Sequence, residues 1–238
     1  MKFVLITAWA LFPGCLLAEV DFQHPTRDYI FLDGDWDIYY EASMEKANLR
    51  LAKESVAKLK KTLRAIEKSL PSGSLPELQT LNIFLMWGEA SPNGGKKSGM
   101  RFVRRGETTN RPHYDSRWEH SVVIYSAENL MYLTDMWAKK ALMHEFAHAW
   151  HITHWPEKYS EIVIPWKNAI SKNLYTNVDD YKDRVIESAY ARKNHLEYFA
   201  ELSAMYFVGG NYYPYNKEQL HSYDPDGTEM VKKLWKEK

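Results

Sequence analysis

The chain has 238 residues, enough for one good hydrophobic core and cramped for two. Hydrophobic residues make up 45% and aromatics 14%, a globular composition rather than a disordered one. Basic and acidic residues balance at 31 each, so no charge excess argues for nucleic acid or an anionic membrane as the main partner.

The N-terminus, "MKFVLITAWALFPGCLLAEV", has a basic Lys2, an apolar run from Phe3 to Phe12 and then small residues. That is the pattern of a secretory signal peptide, and the run is too short for a stable membrane span. Cleavage after Ala18 would make residues 1–18 a leader and 19–238 a single domain. Lipid attachment at Cys15 is the alternative, since "FPGC" loosely resembles a lipoprotein box, although Phe12 and Pro13 fit it poorly. Export, to the medium or the periplasm, is expected in the first case and an outer-surface lipoprotein in the second. Cys15 is the only cysteine, which leaves the globular part without a disulfide, a thiolate nucleophile or a Cys-based zinc site.

After the leader, "RDYIFLDGDWDIYYEAS" predicts a strand or two around a turn at Asp33-Gly34. "DGDWD" lacks the later Glu of an EF-hand loop, so a turn fits better than a calcium site. From about Glu41 to Leu70 the pattern is helical. Ala52, Val56, Leu59, Leu63, Ile66 and Leu70 fall on one face, and Pro71, Gly73 and Pro76 stop the run. Strands are predicted at Leu81–Trp87, Met100–Arg105 and Ser121–Ser126, the first two joined by the hairpin-like "SPNGGKKSG". The basic cluster "KKSGMRFVRR" (Lys96 to Arg105) is expected to be solvated charge on that hairpin. "HSVVIYS" is either an ordinary sheet strand or one that pairs with extended substrate. Helices are expected at about 137–151, 157–173 and 182–208. The fold class is therefore α+β, with an N-terminal helix-plus-sheet lobe (about 19–136) and a helical C-terminal lobe (about 137–238).

"HEFAHAWHITH", His144 to His154, holds four histidines in eleven residues. On a helix, His144 and His148 lie one turn apart on the same face and can aim two imidazole nitrogens at one zinc ion. Glu145 lies about 100° round from His144, where it flanks a metal and can take a proton from an attacking water. A catalytic zinc needs a third protein ligand. His154 has the spacing of H-E-x-x-H-x-x-G-x-x-H, but His151 stands where that pattern has its turning Gly. If the helix continues, His154 falls about 80° off the His144 face and nearly three turns away. His151 is expected beside the site or on the surface, Asn194 as a local cap, and His195 as structural.

The rival third ligand lies in "YARKNHLEYFAELSAMYF", Tyr190 to Phe207. "HEFAH" followed by Y-x-R-x-N-x-x-E-[YF]-F-A-E resembles the lethal-factor-like branch of the gluzincin metallopeptidases, including bacterial secreted members. The later "NYYPYNKEQLHSYDPDGTEMVKKLW" is similar to their tail. The likeness is weak before Trp118 and good from His144 onward. It implies a zincin-like fold, Zn2+ held by His144, His148 and Glu197, and Tyr190 assisting catalysis. Glu201 resembles the acid that receives the free N–H of a ligand His, a position where Asp is commoner. A spacing of seven would put Tyr190 and Glu197 on one helix face, with Glu201 one turn further. The expected activity is that of an exported zinc metalloendopeptidase acting on a protein or peptide, glycoproteins included. A zinc-retaining binding protein without turnover and a zinc amidase acting on cell-wall peptide are the alternatives.

Overall fold

The computed structural model of the chain describes residues 26–111 and 114–236, so the leader and Cys15 lie outside the described residues. The first two strands, β1 (Tyr29–Leu32) and β2 (Ile38–Glu41), form an antiparallel pair closed at Leu32↔Ile38 around the Asp33-Gly34 turn. The long helical pattern divides into α1 (Ala42–Ala47) and α2 (Leu49–Glu67). The break is at Asn48, whose side chain accepts the Leu51 N–H at 3.0 Å and so starts a new helix. A short helix, α3 (Leu75–Leu78), follows around Pro76.

The next strands are β3 (Asn82–Leu85), β4 (Met100–Val103) and β5 (Ser121–Ile124), completing a five-stranded sheet in the order β1-β2-β3-β5-β4. β3 runs parallel to both β2 and β5, while β4 is antiparallel to β5. β3 and β4 are therefore not hairpin partners, contrary to the sequence expectation. Every residue of β5 is buried, and such a strand occupies the interior of a sheet, between the other two. The linker folds back on itself instead. A Cβ at Gly95 would fall 2.0 Å from the Gly88 carbonyl oxygen, so this approach requires glycine.

One face of the sheet presents Ile38, Ile83, Leu85, Val122 and Ile124 to the main core, which also takes Leu59, Leu63 and Ile66 from α2. The opposite face carries Phe84, Val123 and Tyr125 with Tyr114 and Trp118. After α4 (Ala127–Tyr132) comes α5 (Asp135–His154), capped by Thr134 and buried at Leu142, Met143, Phe146, Ala147 and Trp150. Phe146 stacks on Trp36 of the first lobe at 4.9 Å and Trp150 on Trp235 near the C-terminus, also at 4.9 Å. One apolar cluster thus runs from the sheet through α5 to the end of the chain.

Beyond α6 (Ser160–Ser171), the chain forms a hairpin of β6 (Thr176–Asp179) and β7 (Val185–Ser188), then a 3-10 turn at Tyr190–Arg192. The helix expected from about 182 begins only at His195, as α7 (His195–Phe207). Asp180 explains the difference. Its carboxylate accepts the Lys182 and Arg184 backbone N–H groups and the Arg184 guanidinium, which closes a turn that helical periodicity does not register. Two more helices, α8 (Lys217–Tyr223) and α9 (Pro225–Leu234), pack behind α7, with Asp224 capping α9. The protein is mixed α+β. No described helix is long and apolar enough to cross a membrane.

Candidate metal centre

α5 and α7 pack along one another and bring three groups together. The Nε2 atoms of His144 and His148, one turn apart on α5, are 3.0 Å from each other. Glu197 Oε2 on α7 is 3.1 Å from each of them. The start of α7 sets that carboxylate in place. Asn194 is the N-cap, accepting the Glu197 N–H at 2.9 Å. In a capping box the Glu at this position reaches back to the cap amide. Here its oxygens go to the two imidazoles and to Tyr190 and Lys193 instead.

Glu201, one turn further along α7, lies behind the trio and is 1% exposed. It accepts Lys140 Nζ at 2.8 and 2.9 Å and the Tyr212 hydroxyl at 2.6 Å, and it lies 2.8 Å from His144 Nδ1. Burial alone would raise its carboxyl, but the Lys140 charge and the His144 hydrogen bond outweigh it and hold Glu201 well below the usual carboxylate range. Glu197 is lowered in the same way, its burial outweighed by hydrogen bonds to His144 and His148. Burial pulls His144 down, yet its contacts with Glu197 and Glu201 lift it to about 9.

The donor set has a chemical consequence. With Nδ1–H of His144 committed to Glu201, Nε2 of the ring carries a lone pair whenever the ring is neutral. That lone pair faces a carboxylate oxygen, another acceptor, and His148 Nε2 meets both. Only a cation, whether a proton or a metal, reconciles three converging acceptors. Two imidazole nitrogens and one carboxylate oxygen are a catalytic zinc set, and ligands about 2.0–2.1 Å from a tetrahedral ion lie roughly 3.4 Å apart. The separations seen, 3.0 and 3.1 Å, are close to that value. Among the described residues this is the one group of His, Cys, Asp or Glu that could hold a metal ion.

Glu145 lines the same cleft, half-buried, and its Oε2 accepts the Phe102 N–H of β4 at 2.7 Å. The sheet edge thereby orients the carboxylate. Tyr190 is not on the Glu197 helix, as its spacing had implied, but on the preceding 3-10 turn. Its hydroxyl still donates to Glu197 Oε1 at 3.0 Å. Burial raises the phenol and the Glu197 charge adds to this against Lys193, so Tyr190 keeps its proton at neutral pH. Lys193 is the group the sequence analysis missed. Its Nζ is 2.9 Å from the Tyr190 hydroxyl and 3.1 Å from Glu197 Oε1. The available signal was its spacing, three residues after Tyr190 and four before Glu197.

The remaining histidines are elsewhere. α5 continues unbroken through His151, so the turn that would bring His154 to the trio does not form. His154 Nδ1–H donates to the Trp150 carbonyl at 2.8 Å, and Nε2 is 3.1 Å from Glu77. His151 is fully buried, its Nε2 3.3 Å from the Pro156 carbonyl, and burial pulls it down to about 4, so it is neutral. His195 Nε2 donates to the Glu157 carbonyl at 2.8 Å. β5 has neighbours on both edges and so cannot pair with substrate; the outer edge beside the trio belongs to β4. No protein-family model, curated protein or solved structure matches this chain. Three groups that could hold a metal ion thus lie together, with a carboxylate, a phenol and an ammonium beside them.

Proposed function

We propose that this chain is an exported, zinc-dependent metallopeptidase of the gluzincin kind, with a zincin-like fold, and that it hydrolyses peptide bonds in protein or peptide substrates. His144, His148 and Glu197 hold the zinc. When bound, zinc supplies a Lewis acid for the scissile carbonyl and makes an attacking water more acidic. Glu145, steadied by the Phe102 amide, takes that water's proton and returns it to the leaving amine. The Tyr190 hydroxyl donates to the oxygen of the attacked carbonyl as negative charge builds there. Glu201 and Lys140 keep His144 in the tautomer that presents Nε2.

One observation carries this reading: two Nε2 atoms and one carboxylate oxygen converge in a cleft that also contains Glu145. It also favours turnover over mere zinc retention. A structural zinc site closes its fourth position with a protein ligand, and among the described residues no fourth His, Cys, Asp or Glu joins the group. Purified protein should carry about one zinc per chain. It should cleave members of a diverse peptide library, lose that activity to a chelator and regain it with added zinc. Protein that neither binds zinc nor gains activity from it would overturn the reading.

A further inference from the structure

The Tyr190 hydroxyl has one proton to give, and Glu197 Oε1 accepts it at 3.0 Å. To serve a substrate oxygen instead, that hydroxyl has to leave Glu197. Oε2 of the same carboxylate faces the two imidazoles, so the departure takes a donor from Oε1 at the centre of the site. Lys193 is placed to offset that loss. Its Nζ donates to Glu197 Oε1 at 3.1 Å and to the Tyr190 oxygen at 2.9 Å, which closes a triangle of contacts. An ammonium carries several N–H donors and can serve both oxygens at once. A donor to the phenol oxygen also strengthens the hydrogen bond that the phenol itself gives.

The turn that carries these groups is tied down. The Lys193 N–H donates to the Tyr190 carbonyl at 3.1 Å and the Ala191 N–H to the Tyr212 hydroxyl at 3.2 Å. The Arg192 guanidinium donates to the Leu174 carbonyl at 2.7 Å. A swing of the Tyr190 hydroxyl is therefore a side-chain rotation on a fixed backbone, by a residue that is 46% exposed. Tyr190 lines the cleft together with His144, Glu145 and Glu197, while Lys193 stands behind it, outside that lining. Its ammonium lies 4.6 Å from the Tyr190 ring centre.

Helix stability does not account for this lysine. It precedes Asn194, the N-cap of α7, where the helix dipole opposes a cation. With Lys four residues before Glu, the pair also runs in the weaker of the two helical orders. The Lys193 side chain is half-exposed, and ion pairs in such positions contribute little to a fold. We propose that Lys193 is a positioning residue for Tyr190: it keeps hold of Glu197 Oε1 while the phenol hydroxyl turns from Glu197 to the oxygen of the attacked carbonyl. The proposal rests on the metallopeptidase reading. Lys193 touches neither substrate nor reacting atoms. Its ammonium keeps its protons throughout, and only the hydrogen-bond partners change.

The test is a double-mutant cycle of Lys193→Met and Tyr190→Phe, singly and together, on zinc-loaded protein with a peptide that the wild type cleaves. Lys193→Met should lower kcat about tenfold or more with KM within about twofold. It should leave zinc affinity within a few-fold and the urea midpoint near that of the wild type. In the Tyr190→Phe background the same substitution should change kcat less than about twofold, since the hydroxyl it serves is gone. Equilibrium binding gives a second readout apart from turnover. A phosphinic peptide of the same sequence carries a charged oxygen where the attacked carbonyl develops one. Lys193→Met should weaken its binding about tenfold when Tyr190 is present and less than about twofold when it is Phe. Additive effects in either measurement overturn the role of Lys193 and leave the peptidase standing, as does wild-type kcat in Lys193→Met. Zinc affinity that falls in step with kcat also overturns it, because Lys193 would then serve Glu197 alone. Wild-type protein that neither holds zinc nor cleaves removes the peptidase and the role of Lys193 together.

Discussion

Two carboxylates sit in the interior of this protein with ion pairs of equal length. Glu41 meets Arg27 and Glu201 meets Lys140, each at 2.8 Å, and neither acid is more than 1% exposed. Glu41 is surrounded by donors whose other contacts lead back into the fold, as when Arg27 also donates to the Asn93 and Gly94 carbonyls. Arg27, the Ser43 and Ser91 hydroxyls and the Trp87 amide all end on it and tie β2 to the loop before β4. Glu201 gathers Lys140 and Tyr212 in the same manner, but its third partner continues. The His144 ring passes the contact through to Nε2, which faces Glu197 and the cleft. Burial and pairing are common to both networks, so they do not identify a site. What distinguishes the second is a chain of contacts that ends in a ring nitrogen facing two other donor groups at a cleft.

That distinction is open to attack from either side. The largest effect should come from Glu145→Gln, at the outlet of the second network. Turnover should fall roughly 10²–10⁴-fold with zinc content unchanged, because the amide cannot accept the water's proton but can still accept the Phe102 N–H. Steady-state rates alongside metal analysis check this, and wild-type rates would remove Glu145 from the mechanism.

Next in size is Glu41→Gln, at the closed network. It strands Arg27, which has no neutral form to adopt, and breaking such a buried pair costs about 3–5 kcal/mol. Urea unfolding should show that loss while zinc affinity per folded chain stays the same. Reduced affinity would mean the two networks are coupled and the contrast is false.

Glu201→Gln should give a smaller change of a different kind. The amide no longer fixes the His144 tautomer as a carboxylate does, and zinc affinity should drop about 10–100-fold. The stability cost should be below that of Glu41→Gln, since Lys140 can shed its proton where Arg27 cannot. Competition for zinc against a chelating dye measures the first quantity and urea unfolding the second. Unchanged affinity would reduce Glu201 to a structural acid like Glu41.

The two networks were not equally legible in the sequence. Along α5 the residues proposed to face the metal are local, His144, Glu145 and His148 within five positions, and helical geometry alone places them together. Glu197 and Glu201 lie some fifty residues on, and only the family likeness singled them out before the packing of α5 on α7 was seen. The helix expected from about 182 ignored the Asp180 turn, because periodicity counts apolar spacing and not a carboxylate collecting backbone amides. The pairing of Glu41 with Arg27 and the position of the basic cluster beside the cleft were not legible for a related reason. Glu41's contacts with Trp87 and Ser91 are long-range in sequence, and a β4 that pairs with β5 instead of β3 puts Lys96 and Arg101 beside the cleft.

The smallest expected effect is at His154, and it bears on which residues hold the proposed metal. His154 is only six residues from His148, and its spacing alone would make it a ligand. Its ring instead lies over Trp150, with centroids 3.9 Å apart, donates to the Trp150 carbonyl and meets Glu77 at a partly exposed edge. Among the described residues, its hydrogen bonds and ring contacts run to Trp150, Trp155 and Glu77, not to the trio. His154→Ala should therefore leave zinc affinity within a few-fold and cost about 0.5–1 kcal/mol of stability, the scale of one ordinary hydrogen bond near the surface. In the same dye competition Glu197→Gln should weaken zinc by at least about tenfold, because a carboxylate ligand becomes a neutral amide. The reverse ranking would require α5 to break at His151 in the zinc-bound protein. It would transfer the third ligand to His154 and leave Glu197, like Glu41, an acid whose contacts serve the fold alone.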